Sequence, residues 1–205
     1  MNFTAFTVAM GWLAVVLSTF SVYVQSTRLR RHGVDGVSLT TWTLFFYLGV
    51  FWIIYGIDVH SWQLVVGGLV AVPFEVSLLV GLRPWSRPEV VVRCLVVVVL
   101  CCLVPAWVWG WTGAVIGAGV TGTLMRAPQL VRLLRGGAAA GVSASSWTLA
   151  VTVSALWVVY YTGAHLWAVL AVTAFNGGVS LVIAVLSNWR HRSSPLVAAV
   201  AVDLL

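Results

Sequence analysis

The chain has 205 residues, of which 61% are apolar and only 8% charged, and its net charge is +6. An average soluble domain is about a quarter charged, so this composition excludes a soluble enzyme, a secreted disulfide scaffold and a disordered chain. The positive balance does not describe a nucleic-acid face. All eleven basic residues are Arg and they stand between apolar runs, which is the pattern of membrane topology.

Seven apolar runs follow in order, at 4–25, 38–57, 62–82, 90–109, 110–130, 143–163 and 166–187. Each is close to the ~20 residues that cross a bilayer as a helix. Their continuous apolarity argues against a barrel. Nothing ahead of the first run is basic and no small-residue cleavage site follows it, so it reads as a retained helix rather than a signal. Arg28, Arg30 and Arg31 come next. The second run carries Trp42, Trp52 and Tyr55 and is followed by His60. The third holds Pro73 and Glu75 and leads to Arg83, Arg87 and Arg93. The fourth contains Cys94, Cys101 and Cys102, which lack metal-ligand or C-x-x-C spacing and read as small buried hydrophobes. Trp107, Trp109 and Trp111 mark an interfacial turn into the fifth run, where Arg126, Pro128 and Gln129 precede Arg132 and Arg135. The sixth has Trp147, Trp157 and Tyr160 and is followed by His165; the seventh has Thr173 and Asn176 and is followed by Arg190 and Arg192. The tail 193–205 is too short to span.

Seven crossings put all eleven Arg on one side, which the positive-inside rule makes cytoplasmic. The expectation is an integral protein of the plasma (inner) membrane, with its N-terminus outside and its C-terminus in the cytoplasm.

The chain also repeats itself. At an offset of 105, Gly36-Val37-Ser38 meets Gly141-Val142-Ser143, Trp42-Thr43-Leu44 meets Trp147-Thr148-Leu149, and Trp52, Tyr55, His60 and Trp62 meet Trp157, Tyr160, His165 and Trp167. Upstream the offset is 104, which aligns Gln25 with Gln129 and Arg28 with Arg132. Helices one to three therefore repeat as helices five to seven, and the fourth restores parity, so that the repeats run parallel about an axis along the membrane normal. The expected fold is an all-α membrane protein of 3+1+3 layout. Its parts are a first repeat at 1–82, a linker with the fourth helix at 83–109, a second repeat at 110–187 and a cytoplasmic tail at 188–205.

Pro128-Gln129, followed by a basic loop and Gly141-Val142-Ser143, resembles the PQ-loop motif. Trp52-Ile53-Ile54-Tyr55-Gly56 and Trp157-Val158-Val159-Tyr160 resemble the W-x-x-Y-G element of the SWEET and SemiSWEET sugar transporters. The resemblance covers about residues 4–187 and implies a facilitative sugar carrier working by alternating access. It implies that Trp52 and Trp157 pack on a sugar face, which suits their large aromatic surface, and that Tyr55 and Tyr160 form an outer gate. It also implies an Asn sixteen residues beyond each Trp, where this chain has Gly68 and Thr173, with Asn176 one turn further on. Thr173 and Asn176 are thus the polar candidates, both in the second repeat. The family's outer-gate Asp is missing, with His60 and His165 beside the expected positions. Of its four helix prolines only Pro128 remains, and Val24-Gln25 replaces the first PQ, so the two repeats do not share a proline hinge.

Glu75 and Arg126 lie inside spans at similar depth, and an acid there costs ~2.5–3.5 kcal/mol on insertion scales. Glu75 serves proton coupling, recognition of a substrate cation, or a structural pair with Arg126. His60 and His165 serve external pH sensing or interfacial hydrogen bonding. The leading function is a sugar uniporter, and the alternative is a proton-coupled PQ-loop carrier of amino acids or another small solute. A receptor shares the topology, but a retinal Schiff base needs a Lys, which the chain lacks. No set of ionisable groups forms a catalytic site, no phosphate-binding loop is present, and no cofactor or metal is implied. The expected partners are a small-molecule substrate and the lipid bilayer. A second copy of the chain stays open.

Overall fold

The computed structural model of the chain describes residues 2–32, 38–135 and 144–203, with only the backbone described at 25, 28–32, 144 and 191–203. The side chains of Gln25, Arg28, Arg30, Arg31 and Arg192, and all of Gly36, Val37 and Gly141-Val142-Ser143, lie outside the described residues. The rest is helical, with no strand among the described residues.

The helices are α1 (Phe3–His32), α2 (Leu39–Asp58), α3 (Trp62–Leu82), α4 (Pro88–Val98), α5 (Val104–Leu134), α6 (Ala144–Gly163) and α7 (Trp167–Asp203). A 3₁₀ turn, Pro84–Ser86, precedes α4, and a wide π turn, Val99–Leu103, joins α4 to α5. Five segments are long and apolar enough to cross a membrane: Phe3–Val24, Leu39–Asp58, Trp62–Leu82, Pro88–Leu134 and Trp167–Arg190. The fourth of these holds both the fourth and the fifth apolar runs. The α6 segment is helical over twenty residues and is not among these five.

The long apolar segment folds back on itself. Trp109 (φ −124°, ψ 15°) and Gly110 (φ 58°, ψ −143°) leave the helical conformation. A left-handed φ strains L side chains, so glycine is the residue suited to Gly110. Beyond the break, Gly113 lies on the Pro105 carbonyl and Gly117 on the Cys101 carbonyl. Sixteen residues of unbroken helix would hold Cys101 and Gly117 about 24 Å apart; their contact requires a reversal. The Gly-x-x-x-Gly spacing brings the two backbones together, as small residues do between helices in lipid.

The turns after α2 and α6 are copies of each other. His60 (φ 54°) and His165 (φ 57°) both take left-handed backbone. Ser61 N–H donates to the Gly56 carbonyl and His60 N–H to that of Ile57; Leu166 N–H donates to Tyr161 and His165 N–H to Thr162. This is the Schellman helix end, with histidine where glycine is usual. The paired histidines thus close helices.

Packing follows the repeat as well. α3 lies against both α1 and α2, and α7 lies against both α5 and α6. Buried residues recur at the offset of 105: Tyr55 with Tyr160, Leu64 with Val169, Leu78 with Ile183. The two units meet along two seams of unequal width. α1 packs directly on α6, where Gly11 faces the Tyr160 ring and Gly163 faces Thr7. At the corresponding seam, Val115 and Trp111 of α5 stand where α1 has Gly11 and Thr7. These larger side chains keep α5 further from α2, and α4 with Cys102 of the π turn packs into that side beside Leu48 and Ala118.

Candidate functional site

Four of the residues singled out in the sequence meet in one place. Trp52, Tyr55, Trp157 and Tyr160 belong to a single cluster at the end of the bundle that carries His60 and His165. Its buried members are Tyr55, Leu64, Val115, Tyr160, Tyr161 and Val169. The three-residue spacing of W-x-x-Y sets each Trp against its Tyr on one helix face. The ring pairs match: Trp52 and Tyr55 are 5.9 Å apart at 78°, and Trp157 and Tyr160 are 5.7 Å apart at 69°. Both are edge-to-face, the arrangement that ring quadrupoles favour. Trp111 joins Tyr55 at 5.4 Å from across the wider seam. Tyr161 stacks on Trp157 at 5.3 Å and 13°, so one face of that indole is covered.

The two tyrosines differ in what their hydroxyls do. The Tyr160 hydroxyl lies 2.7 Å from Ser61 Oγ and donates to Gln63 Oε1 at 3.0 Å. Both partners are buried and lie at the α2–α3 turn of the other unit, so this pair ties the units together. At the offset of 105 the corresponding residues are Leu166 and Ala168, which cannot accept a side-chain hydrogen bond. Among the described residues the Tyr55 hydroxyl accordingly has no counterpart to this tie, and its ring is held by Phe51, Trp52 and Trp111. Sequence inspection missed Ser61 and Gln63, and read Trp111 as part of an interfacial turn and not as a neighbour of Tyr55. Aligning the two turns would have exposed the first two, because a Ser and a Gln there face a Leu and an Ala.

Toward the other end lies a polar network between α5 and α7. The Asn176 amide donates to the carbonyls of Gly119 at 3.1 Å and Val172 at 3.0 Å. Its Oδ1 lies 3.2 Å from the Thr123 hydroxyl and 3.4 Å from Arg126 Nη1. Arg126 also donates from Nη1 to the Gly122 carbonyl at 2.6 Å and from Nε to Ser180 Oγ at 3.2 Å. Thr123 and Asn176 line a cleft of about 260 Å³ whose other walls include Gly119, Val172 and Phe175. Thr173 is half-buried on α7, outside that lining. Gln129 accepts a hydrogen bond from Trp147 Nε1 at 3.0 Å, joining α5 to α6. Pro128 is exposed and borders a second cleft, of about 410 Å³, with Thr41, Leu124 and Met125 between α2 and α5.

Glu75 is 5% exposed, and its Oε2 has no hydrogen-bond partner. It faces α2, where a Cβ on Gly49 would come within 2.9 Å of Oε2. Of the roles open to Glu75, the structural pair with Arg126 is not formed: among the described residues the partners of Arg126 are Ser180, Gly122 and Asn176. The reason is the repeat: Ser180 stands in α7 where α3 has Glu75, so acid and base lie in different units. No group of three or more metal-ligating side chains occurs among the described residues.

No family model, curated protein or solved structure matches this chain. The likeness to the sugar carriers rests on the motif residues and the repeat.

Proposed function

We propose that the chain is a facilitative sugar carrier with seven crossings in a 3+1+3 layout, in which two parallel three-helix repeats rock about a site between them. The observation that carries this reading is the aromatic cluster. Trp52 and Tyr55 of one unit meet Trp157 and Tyr160 of the other where the units join. An aromatic face suits the C–H face of a pyranose. The break at Trp109–Gly110 supports counting the long apolar segment as two crossings, with α6 as another. On that count the Arg lie in the cytoplasm of a plasma (inner) membrane protein with its N-terminus outside. The histidine end is then the outside, and the Tyr160 tie holds it shut. Asn176 and Thr173 supply polar recognition from the second repeat, with Pro128 and Gln129 at the hinge of α5. The test is sugar uptake by liposomes holding the purified protein: Trp157→Ala and Trp52→Ala should each cut the rate, and unchanged rates would refute the assignment.

One observation favours a second reading. A buried carboxyl with an unpartnered oxygen in a span is a candidate proton carrier, which points to a proton-coupled carrier of amino acids or another small solute. That reading requires uptake to follow an imposed pH gradient and to lose the dependence in Glu75→Gln.

A further inference from the structure

Arg126 points the wrong way for a topology signal. Its Cα lies sixteen residues along α5 from Gly110, about 24 Å by helical rise, near the end that carries Arg132 and Arg135. Long basic side chains so placed normally extend to the nearer interface. Here the guanidinium turns back one turn toward the middle of the bundle, where Nη1 meets the Gly122 carbonyl and Asn176 Oδ1 and Nε meets Ser180. Gly122 leaves the space it needs, since a Cβ there would lie 3.3 Å from Nη1.

Every one of those partners is neutral. Arginine stays protonated in proteins, so its charge is held inside the bundle with no carboxylate bonded to it among the described residues. The site is also only partly used. Nη2, with two N–H groups, has no hydrogen-bond partner among the described residues. A guanidinium fixed through Nε and Nη1 keeps the Nη2 N–H groups to donate, and a carboxylate is the acceptor its planar fork fits best. Glu75 does not fill it, being held beside Gly49 in the other unit.

We propose that the solute carried by this protein bears a carboxylate, and that Arg126 binds it through Nη2 beside Asn176 and Thr123. This rests on the carrier reading and narrows its substrate to an acidic one. The direction of the guanidinium, away from the arginine end, favours a solute in the bundle over a lipid headgroup at its edge. A sugar acid and an amino acid share the required group, and the test separates them.

Uptake of glucuronate, glucose and alanine is measured in liposomes of neutral lipid for the wild type, Arg126→Gln and Arg126→Lys. Thermal shifts of the detergent-purified proteins with the same solutes give a second readout. The wild type should take up glucuronate at least about tenfold faster than glucose, the factor expected for one charge-assisted contact. Arg126→Gln should bring that ratio near one and abolish the glucuronate thermal shift, and Arg126→Lys should keep most of both. If alanine is carried in place of glucuronate with the same dependence, the carboxylate site stands and the sugar reading falls. Glucose carried as fast as glucuronate, with a ratio insensitive to Arg126→Gln, overturns the proposal and leaves the carrier reading intact. Should Arg126→Gln fail to fold, wild-type glucose flux unaffected by excess glucuronate overturns it equally. Stimulation that follows added anionic lipid alone overturns it, and no flux of any solute overturns both readings.

Discussion

Removing one oxygen should open the histidine end. In Tyr160→Phe the ring remains against Gly11, whose Cβ position is 2.7 Å from Cδ2, so packing of α1 on α6 is retained. What is lost are the contacts of the hydroxyl with Ser61 at 2.7 Å and Gln63 at 3.0 Å. Each such bond contributes about 0.5–1.5 kcal/mol net, so the closed arrangement loses about 1–3 kcal/mol. If the tie exists only while this end is closed, the open fraction rises about 5- to 150-fold. The assay is labelling of Val59→Cys, at the α2–α3 turn beside the cluster, by a membrane-impermeant thiol reagent, with Cys94, Cys101 and Cys102 replaced by alanine. Labelling of the Tyr160→Phe protein should be at least about fivefold faster. Tyr55→Phe is the control and should change little, because no Ser or Gln stands at the matching positions. Equal labelling of Tyr160→Phe and its parent would refute the reasoning, since the tie would then not resist opening.

His60→Gly and His165→Gly should each raise thermal stability in detergent by about 0.5–1 kcal/mol, because glycine removes the left-handed strain at more than its own entropic cost; lower melting temperatures would show that the imidazoles make contacts that matter more. Gly117→Leu should abolish recovery of monodisperse protein, since its side chain would fall on the Cys101 carbonyl, whereas Gly178→Ala, with open space around it, should purify normally. Gly49→Val should destabilise the fold by driving a methyl group into the Glu75 carboxyl, and Glu75→Ala in the same chain should restore most of the loss; a double variant no better than the single would place Glu75 elsewhere.

The helical, membrane-spanning character was legible in the long apolar runs, and the matched faces in large, countable residues. Trp52, Tyr55, Trp157 and Tyr160 mark equivalent faces, and they do pack in one cluster. The turn between the fourth and fifth runs was legible from three alternating Trp, and the backbone breaks among them at Trp109 and Gly110. What escaped is what depends on the differences between the copies. Pairing Glu75 with Arg126 followed from similar depth along the chain, but depth says nothing about azimuth, and the packing puts them in separate units. The unequal seams come from Gly11 and Thr7 standing opposite Val115 and Trp111, a contrast that periodicity does not weigh. The Gly113 and Gly117 contacts carried a signal, the small-x-x-x-small spacing, that a search for long apolar runs passes over. The direction of the Arg126 side chain had none, because it is set by Gly122, Asn176 and Ser180 together.

The central claim is that solute moves down its own gradient through a site shared by the two repeats. It is tested most directly by counterflow in sealed liposomes. Vesicles loaded with unlabelled solute are diluted into labelled solute, with and without an imposed pH gradient, over a panel of neutral sugars, sugar acids and amino acids. The account predicts transient accumulation of a labelled sugar or sugar acid, unchanged by dissipating the pH gradient and reduced in Trp157→Ala. Accumulation only of other solutes, driven by the pH gradient and lost in Glu75→Gln, would contradict it and move the mechanism to the buried carboxyl.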